Sequence, residues 1–441
     1  MKALGLQSES LSLMDYEIKS MKRKNSEIKS MKRKREKKIN GGTGIGDVPE
    51  EILVEILIRL PAKSIHCSCR FVCKRWRLII KTPIFCARHL TFIAEDGGGE
   101  EESELVIFQM NCDIMASDLY SVVVSEDSRA YVEALSERHP LLSLRRYYGF
   151  LGRAVAESYG LFCFFDSPTL SVCNPATKQI VSLPPIAIPF GPNNIHRGPP
   201  RRRPMFNHKA VAFGYDKISK KHKVIHAIFP NIVEIITLGG NIYNSWRSIP
   251  SIPPYCFAKM STVCAHGDAH WLVFHDPDWE NTNSNIPGMI MSFDFTKEEF
   301  VLIPHPPFLG SKPYNYNTTL NRFRLLKWRG SLALIYFRST SQFETWVIKD
   351  YANKQWARLS ITYLSDIGKT INAKVDYITR ILATWKDYIL FWKLEHFILY
   401  NPVTRLSKYV PLPPPPHRLG RVRSIIPGIC YTASLVSIQD N

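Results

Sequence analysis

Residues 47–90, DVPEEILVEILIRLPAKSIHCSCRFVCKRWRLIIKTPIFCARHL, decide how the first part of the chain folds. Asp47 is a good helix N-cap, Pro49 suits a first turn, and Glu50 stands three residues after Asp47, as in a capping box. Ile52, Leu53, Ile56, Leu57 and Leu60 then recur at helical spacing and make one apolar stripe. Proline disfavours the α conformation at the residue before it, so Leu60-Pro61 ends that helix. The spacing predicts a second helical stretch from about Lys63 to Ile80, with Val72, Trp76, Ile79 and Ile80 along one side. Two or three short helices in about 40 residues are near the lower limit of independent stability. They leave apolar surface in need of a cover, which is what a docking module requires.

Several elements stand here in a recognisable order: Val48-Pro49, Ile52-Leu53, Ile56-Leu57, Leu60-Pro61, Lys63-Ser64, Val72-Cys73-Lys74, Trp76, and Pro83 with Phe85. The ordered set resembles an F-box, the helical module that docks substrate receptors onto the Skp-type adaptor of cullin-based ubiquitin ligases. Val48 stands where that family usually has Leu, and one residue more than usual separates Lys63-Ser64 from Val72-Cys73-Lys74. The resemblance implies adaptor binding by apolar burial of Val48, Pro49, Ile52, Ile56, Leu57, Leu60, Pro61, Ile65, Val72 and Trp76. Through the adaptor it implies a cullin scaffold as a further partner.

The 441 residues carry a net charge of +18, unevenly spread. Residues 1–46 hold 12 Lys/Arg against 5 Asp/Glu, and residues 47–90 hold 8 against 4. The first segment repeats itself, EIKSMKRKNS at 17–26 and EIKSMKRKRE at 27–36, with too few apolar residues to bury anything. It reads as a disordered basic tail ending in the Gly-rich linker GGTGIG at 41–46. Lys22, Arg23, Lys24, Lys32, Arg33, Lys34, Arg35, Lys37 and Lys38 form patches suited to nuclear import or polyanion binding, beside the plainer reading of a solvated extension. No segment resembles a signal peptide and no apolar run reaches the ~18 residues of a membrane span. With ten scattered cysteines, the expectation is free thiols in a reducing compartment, the nucleus and/or the cytoplasm.

Beyond an acidic, Gly-rich loop at 95–104 the periodicity changes. From about 105 to 438 the chain reads as short strands: LVIFQM, GLFCFF, KQIVSL, AVAFGYD, KVIHAIF, VEIITL, HWLVFH, MIMSFDF, EEFVLI, FRLLKW, SLALIYF, TWVIKD, YILFWK and FILYN. Helical periodicity shows only at 125–147 and in a turn near 364–372. Asn174-Pro175-Ala176-Thr177 leads to a strand ending Leu183-Pro184, and Asn401-Pro402-Val403-Thr404 to one ending Leu412-Pro413. Three hairpins share a charged turn: FGYDKISKKHKVI, MSFDFTKEEFVLIP and WVIKDYANKQWARLSI. Units recur roughly every 40–50 residues, a spacing that suits four-stranded blades set radially. About six units fit, the last closed by SIIPGICYTASLVSI, whose strand is expected to pair near Leu105–Met110.

The NPxT…LP unit at 174–184, FGYD at 213–216, Asn244-Ser245-Trp246-Arg247, Gly267 with His270-Trp271-Leu272, and NPVT at 401–404 resemble the F-box-associated domain of the large plant F-box family. The expected fold class is therefore multidomain, α plus all-β: a small helical F-box at 47–90, then a kelch-like, propeller-type antiparallel β domain at 105–438 that holds a target protein. The resemblance does not name that target.

Other clusters carry less. His66, Cys67, Cys69, Cys73, Cys86 and His89 lack paired zinc-ligand spacing and read as buried thiols and helix residues, with Cys69 and Cys73 at i and i+4. His266, Asp268, His270, His275, Asp276 and Asp278 cluster, but in a strand they point to both faces, which argues against one metal site. There is no GxSxG and no nucleotide-binding set, so no catalytic, metal or cofactor residue is assigned. Arg201-Arg202-Arg203, in the long Pro-rich loop 184–205, could meet an acidic partner. PLPPPPHRLGR at 411–421 reads as a spacer or a polyproline II ligand. The rival classes are a basic nucleic-acid-binding protein, set back by the near-average charge of the β region, and a propeller lectin for glycans on misfolded proteins.

Overall fold

The computed structural model describes residues 48–95, 104–111, 116–124, 130–134, 144–145, 153–166, 169–186, 206–207, 209–228, 232–239, 245–258, 262–274, 289–307, 322–369, 380–393, 396–411 and 422–438. The basic patches of the tail, Asp47, Arg201–Arg203, His275, Asp276, Asp278 and the spacer 412–421 lie outside the described residues. The chain divides after Leu57 into two compact units.

In the first unit, α1 spans Glu50–Leu57, its first turn closed by Leu53 N–H donating to Pro49 O at 3.0 Å. The second unit opens with α2 (Ala62–Cys67), a 3₁₀ turn (Cys69–Phe71), α3 (Lys74–Ile80) and α4 (Pro83–Glu95). The single helix predicted from Lys63 to Ile80 is thus two helices. Cys73 lies in extended backbone, φ −156° and ψ 170°, and caps α3 with its sulfur 3.5 Å from Trp76 N. Cys69 and Cys73 are therefore not stacked on one helix, and of the three neighbouring thiols only Cys69 is buried, while Cys67 and Cys73 are exposed. Thr82 precedes Pro83 as the cap of α4, its hydroxyl accepting from Phe85 N at 3.2 Å.

The described residues from 104 on form six antiparallel sheets. Blade 1 joins Glu104–Asn111, Ala116–Val124 and Ala130–Ala134 to the C-terminal strand Val422–Tyr431, with Leu144–Arg145 added at one side. Blade 2 is Arg153–Ser158, Leu161–Asp166, Thr169–Asn174 and Gln179–Ser182. Blade 3 is Lys209–Asp216, Lys221–Ile228, Ile232–Thr237 and Arg247–Ser248. Blade 4 is Val263–Ala265, Asp268–Phe274, Met289–Asp294 and Glu299–Ile303, extended by Cys256–Ala258 and Phe206–Asn207. Blade 5 is Phe323–Trp328, Ser331–Phe337, Gln342–Asp350 and Gln355–Tyr363. Blade 6 is Arg380–Trp385, Tyr388–Lys393, His396–Tyr400 and Ser407–Pro411. A short helix, Leu364–Lys369, stands at the turn read from the sequence near 364–372.

Each blade lays its inner strand against the next, and the C-terminal strand touches both Arg380–Trp385 and Arg153–Ser158, so the ring closes. That strand pairs with the first one of the domain, Leu105 opposite Cys430 and Phe108 opposite Ile426, as the sequence led us to expect. Closure leaves no inner sheet edge exposed. The helical periodicity at 125–147 is overruled: Ala130–Ala134 is a strand, Val132 opposite Val122. Its β-branched and aromatic residues find a pairing edge there, and tertiary pairing outweighs a weak local pattern.

Apolar side chains fill the space between neighbouring blades. Between blades 2 and 3 lie Leu161, Val172, Phe213, Val224 and Ile236, joined by Leu90 of α4 and by Val436 and Ile438 from beyond the closing strand. Phe257, Trp271, Met291 and Phe295 pack with Ile225 and Ile235 between blades 3 and 4. Tryptophan N–H groups tie the outer strands. Trp246 donates to Pro184 O at 3.0 Å and Trp356 to Pro304 O at 2.9 Å, each binding one blade to the Pro that ends the outer strand of the blade before it.

Candidate functional site

In α1 the apolar stripe splits. Leu53 and Leu57, four residues apart, are buried at 2% and 0% exposure, whereas Ile52 and Ile56 on the adjoining face are 53% and 50% exposed. In the helices of the second unit Ile65, Ile79, Ile80 and Phe85 are buried, while Phe71, Val72, Leu78 and Ile84 are exposed. Of the ten residues expected at the adaptor, Pro49, Ile52, Ile56 and Val72 are exposed, and Val48, Leu60, Pro61 and Trp76 are half-buried. Leu57 and Ile65 offer no surface to a partner. Both are wholly buried, so they hold the helices rather than meet an adaptor. Phe71, Leu78 and Ile84 are exposed as well, since helical spacing marks an apolar face without saying whether the fold covers it. The Leu60-Pro61 corner is pinned from within the second unit by buried His89, whose Nε2 lies 3.0 Å from Leu60 O. Burial pushes the His89 pKa down, so the neutral ring donates its proton to that carbonyl.

In the propeller the turns are built on one device. Asn174, Asp216, Asp294, Asp350 and Asn401 each end a strand and accept backbone N–H groups two or three residues on, for example Ala176 N at 2.9 Å, Ile218 N at 2.9 Å and Thr296 N at 2.8 Å. The fourth residue after each, Lys178, Lys220, Glu298, Lys354 or Arg405, has positive φ, which lets the next strand return. This is the physical content of the repeated Asn-Pro and charged turns in the sequence.

Three of the clustered residues at 266–278, namely His266, Asp268 and His270, come together on a partner from another blade. Tyr351 O–H donates to Asp268 Oδ2 at 2.8 Å, and its oxygen lies 2.9 Å from His270 Nε2 and 3.1 Å from the Ser292 hydroxyl. The His266 ring stacks on Tyr351 at 4.2 Å between centroids and accepts from Leu332 N at 3.2 Å. Lys354 Nζ sits 3.8 Å over the same tyrosine ring. Burial pushes His270 down to about 3, and burial with Lys217, Lys354 and Lys327 takes His266 down to about 4. Both rings are neutral at pH 7. Burial lifts Asp268 to about 6, against the Tyr351 hydrogen bond. Tyr351 had no signal in the sequence, since it lies 83 residues from Asp268 in a turn.

Ion pairs bridge the blades. Lys223 Nζ reaches Asp216 and Glu298, each at 2.8 Å, and Phe295 O at 2.9 Å, while Arg247 holds Glu298 from the outer side. Lys327 of blade 5 lies 3.8 Å from Glu157 of blade 2, across the ring. Burial raises the Glu157 pKa, with Lys327 and the Gly160 amide opposing it. These networks join neutral imidazoles, hydrogen-bonded or ion-paired carboxylates and their cations, and they brace the blades.

A set of short helices with exposed apolar side chains followed in sequence by a closed β-propeller is the architecture of a receptor-type protein rather than of an enzyme pocket. The chain belongs to the F-box-associated β-propeller family: the family's "F-box associated beta propeller domain" model matches residues 114–405, and an F-box domain model matches residues 45–88. Similar proteins include F-box protein At1g30790 of Arabidopsis thaliana, 27% identical over 71% of this chain and 75% of its own. F-box protein CPR1 of the same plant is 26% identical over 71% of this chain and 72% of its own. The chain is thus a plant-type F-box protein, whose F-box implies binding of a Skp-type adaptor and whose propeller implies binding of a target.

Proposed function

We propose that the chain is the target-binding subunit of a Skp–cullin–F-box ubiquitin ligase and does no bond chemistry itself. The observation that carries this reading is the set of exposed apolar side chains on the short helices, Ile52 and Ile56 in α1 and Val72, Leu78 and Ile84 beyond it, in a chain whose large domain is a closed ring. Exposed apolar side chains on a small module are a docking surface. The adaptor would bridge to the cullin, and the propeller would hold a protein so that its lysines stand near a ubiquitin-charged enzyme. The effect is a raised local concentration rather than an activated nucleophile.

Purified full-length Ile52→Asp with Ile56→Asp tests it. Both side chains already face water, so the melt should stay put while adaptor affinity falls at least ~10-fold, about 1.4 kcal/mol. Equal affinity in a folded double variant would refute docking by this face. The basic tail is proposed as a nuclear address: deleting residues 1–40 should leave adaptor binding intact and lower the nuclear fraction, and an unchanged fraction would dismiss that role.

A further inference from the structure

In an antiparallel sheet whose strands follow in order, the turns after the first and third strands lie at the same end. Blades 2 to 6 bring those ends together. Tyr159 meets Tyr215 at 4.8 Å between ring centroids, Lys217 lies against Gly267, His266 stacks on Tyr351, and Arg329 Nε donates to Asp387 at 2.7 Å. One end of the propeller is therefore made of these turns.

That end is basic. Six of the nine non-glycine residues with positive φ among the described residues are Lys or Arg: Lys178, Lys220, Arg329, Lys354, Lys386 and Arg405. A left-handed backbone costs a residue with a β-carbon roughly 1 kcal/mol, and Gly would fill it freely. Turn geometry thus does not account for a long cation there. Lys217, Lys220 and Lys297 are exposed, with no carboxylate at ion-pair distance among the described residues. The nearby carboxylates are occupied: Asp216 by Lys223, Glu298 by Lys223 and Arg247, Asp268 by Tyr351, Asp387 by Arg329, and Asp294 by turn amides. Three cations gather from three blades around the His266–Tyr351 stack. Lys217 and Lys354 act on both His266 and Asp268, and Lys354 in turn feels Asp268, Asp294 and Lys297.

We propose that the turn end of blades 3, 4 and 5 is the docking surface for an acidic protein segment, its clustered carboxylate or phosphoryl groups meeting the ammonium groups of Lys217, Lys297 and Lys354. This deepens the reading of the propeller as a target holder and rests on it. Lysine ammonium groups are point charges without a fixed fork, so they accept anionic side chains at varied spacings. A single-stranded nucleic acid would want an open aromatic face to stack on. The Tyr351 ring is already engaged, with His266 stacked on it and Lys354 Nζ 3.8 Å from its centroid.

The test uses the full chain bound to its adaptor and a fluorescein-labelled peptide of alternating Glu and Ser. Companion peptides carry phosphoserine with the Glu replaced by Gln, or Lys in place of Glu. The variant is Lys217→Glu, Lys297→Glu and Lys354→Glu together. Glu298 occupies in blade 4 the positive-φ position that Lys354 occupies in blade 5, so the last change fits its backbone, and a thermal melt checks all three. The control reverses Arg322 and Arg358, which lie away from these turns. The triple variant is expected to bind the Glu or the phosphoserine peptide at least about tenfold more weakly than wild type, with the control unchanged and the Lys peptide unbound by wild type. Whichever of the two anionic peptides binds tighter identifies the source of the charge. Equal loss in the control, or equal binding by the triple variant and wild type, overturns the proposal, as does a wild type that prefers single-stranded DNA to both anionic peptides. Adaptor affinity, read on the same samples, tests the F-box docking separately.

Discussion

Replacing Asn174 by Asp separates the two jobs of one side chain. Asn174 is wholly buried at the last turn of blade 2. Its Oδ1 accepts from Ala176 N at 2.9 Å and Thr177 N at 3.3 Å, which shapes the turn. Its Nδ2 donates to Ser434 O at 3.1 Å and Val436 O at 2.7 Å, which fastens the segment that follows the closing strand. Asp keeps the first pair, as Asp216, Asp294 and Asp350 show in equivalent turns. It loses the second and sets a carboxylate oxygen against two carbonyls. Each buried group left without its partner costs about 1–3 kcal/mol, so the two carbonyls together cost on the order of 3 kcal/mol or more. Release of the segment sets the ceiling, since it exposes Leu435, Val436 and Ile438, at about 1.5–3 kcal/mol each. Asn401 is the control. Its Oδ1 shapes the same turn, to Val403 N at 2.9 Å and Thr404 N at 3.0 Å, and its Nδ2 has no partner among the described residues. Asn401→Asp should therefore cost under about 0.5 kcal/mol. Urea denaturation reads the difference, and in a thermal melt Asn174→Asp should lose roughly 5 °C. Limited proteolysis should cut it after residue 431. Equal shifts in the two variants, or an Asn174→Asp chain whose C-terminal segment stays protected, would refute the clasp.

Truncation after Gly420 removes the inner strand of blade 1 and bares Glu104–Asn111, so the propeller should melt lower and aggregate, with adaptor binding kept; an unchanged melt would dismiss closure by that strand. Gly214→Ala places a Cβ 2.1 Å from Phe295 Cε2 in the packed interior between blades 3 and 4, and should destabilise by about 2–3 kcal/mol, read as a lower urea midpoint. Acid should destabilise the propeller. Burial takes His222 and His270 down to about 3, so the unfolded chain binds protons below pH ~6.5 that the folded one refuses, and each ring withdraws up to ~1.4 kcal/mol per pH unit as pH falls from there toward 3. Asp268 acts the other way, since its raised folded pKa of about 6 makes the folded state the stronger proton binder between about pH 6 and 4, and it offsets one histidine over that window. The melt should still fall between pH 6.5 and 4.5, and a flat profile would count against buried neutral histidines.

The sequence by itself determined the class. Alternating apolar residues, turn residues at regular intervals and a Leu60-Pro61 stop are local signals, and all fourteen strands read from them are strands in the structure. The Asn-Pro and Asp turns were legible for the same reason, since one side chain caps amides two and three residues away. Local signals failed where a distant partner decides. Nothing near Ala130–Ala134 says that it will pair with Val122 and its neighbours, and nothing near Cys73 says that the helix will break there. The stripe of α1 was visible, but its division into buried Leu53 and Leu57 and exposed Ile52 and Ile56 depends on what covers each face. Tyr351 meets Asp268 and His270 only because blades 4 and 5 stand side by side in the ring. The gathering of Lys217, Lys297 and Lys354 at one end likewise comes from the alternation of strand direction in three separate sheets. Side-chain periodicity is written along the chain, whereas the neighbours that close a ring or complete a surface are chosen by which sheet edges and faces meet.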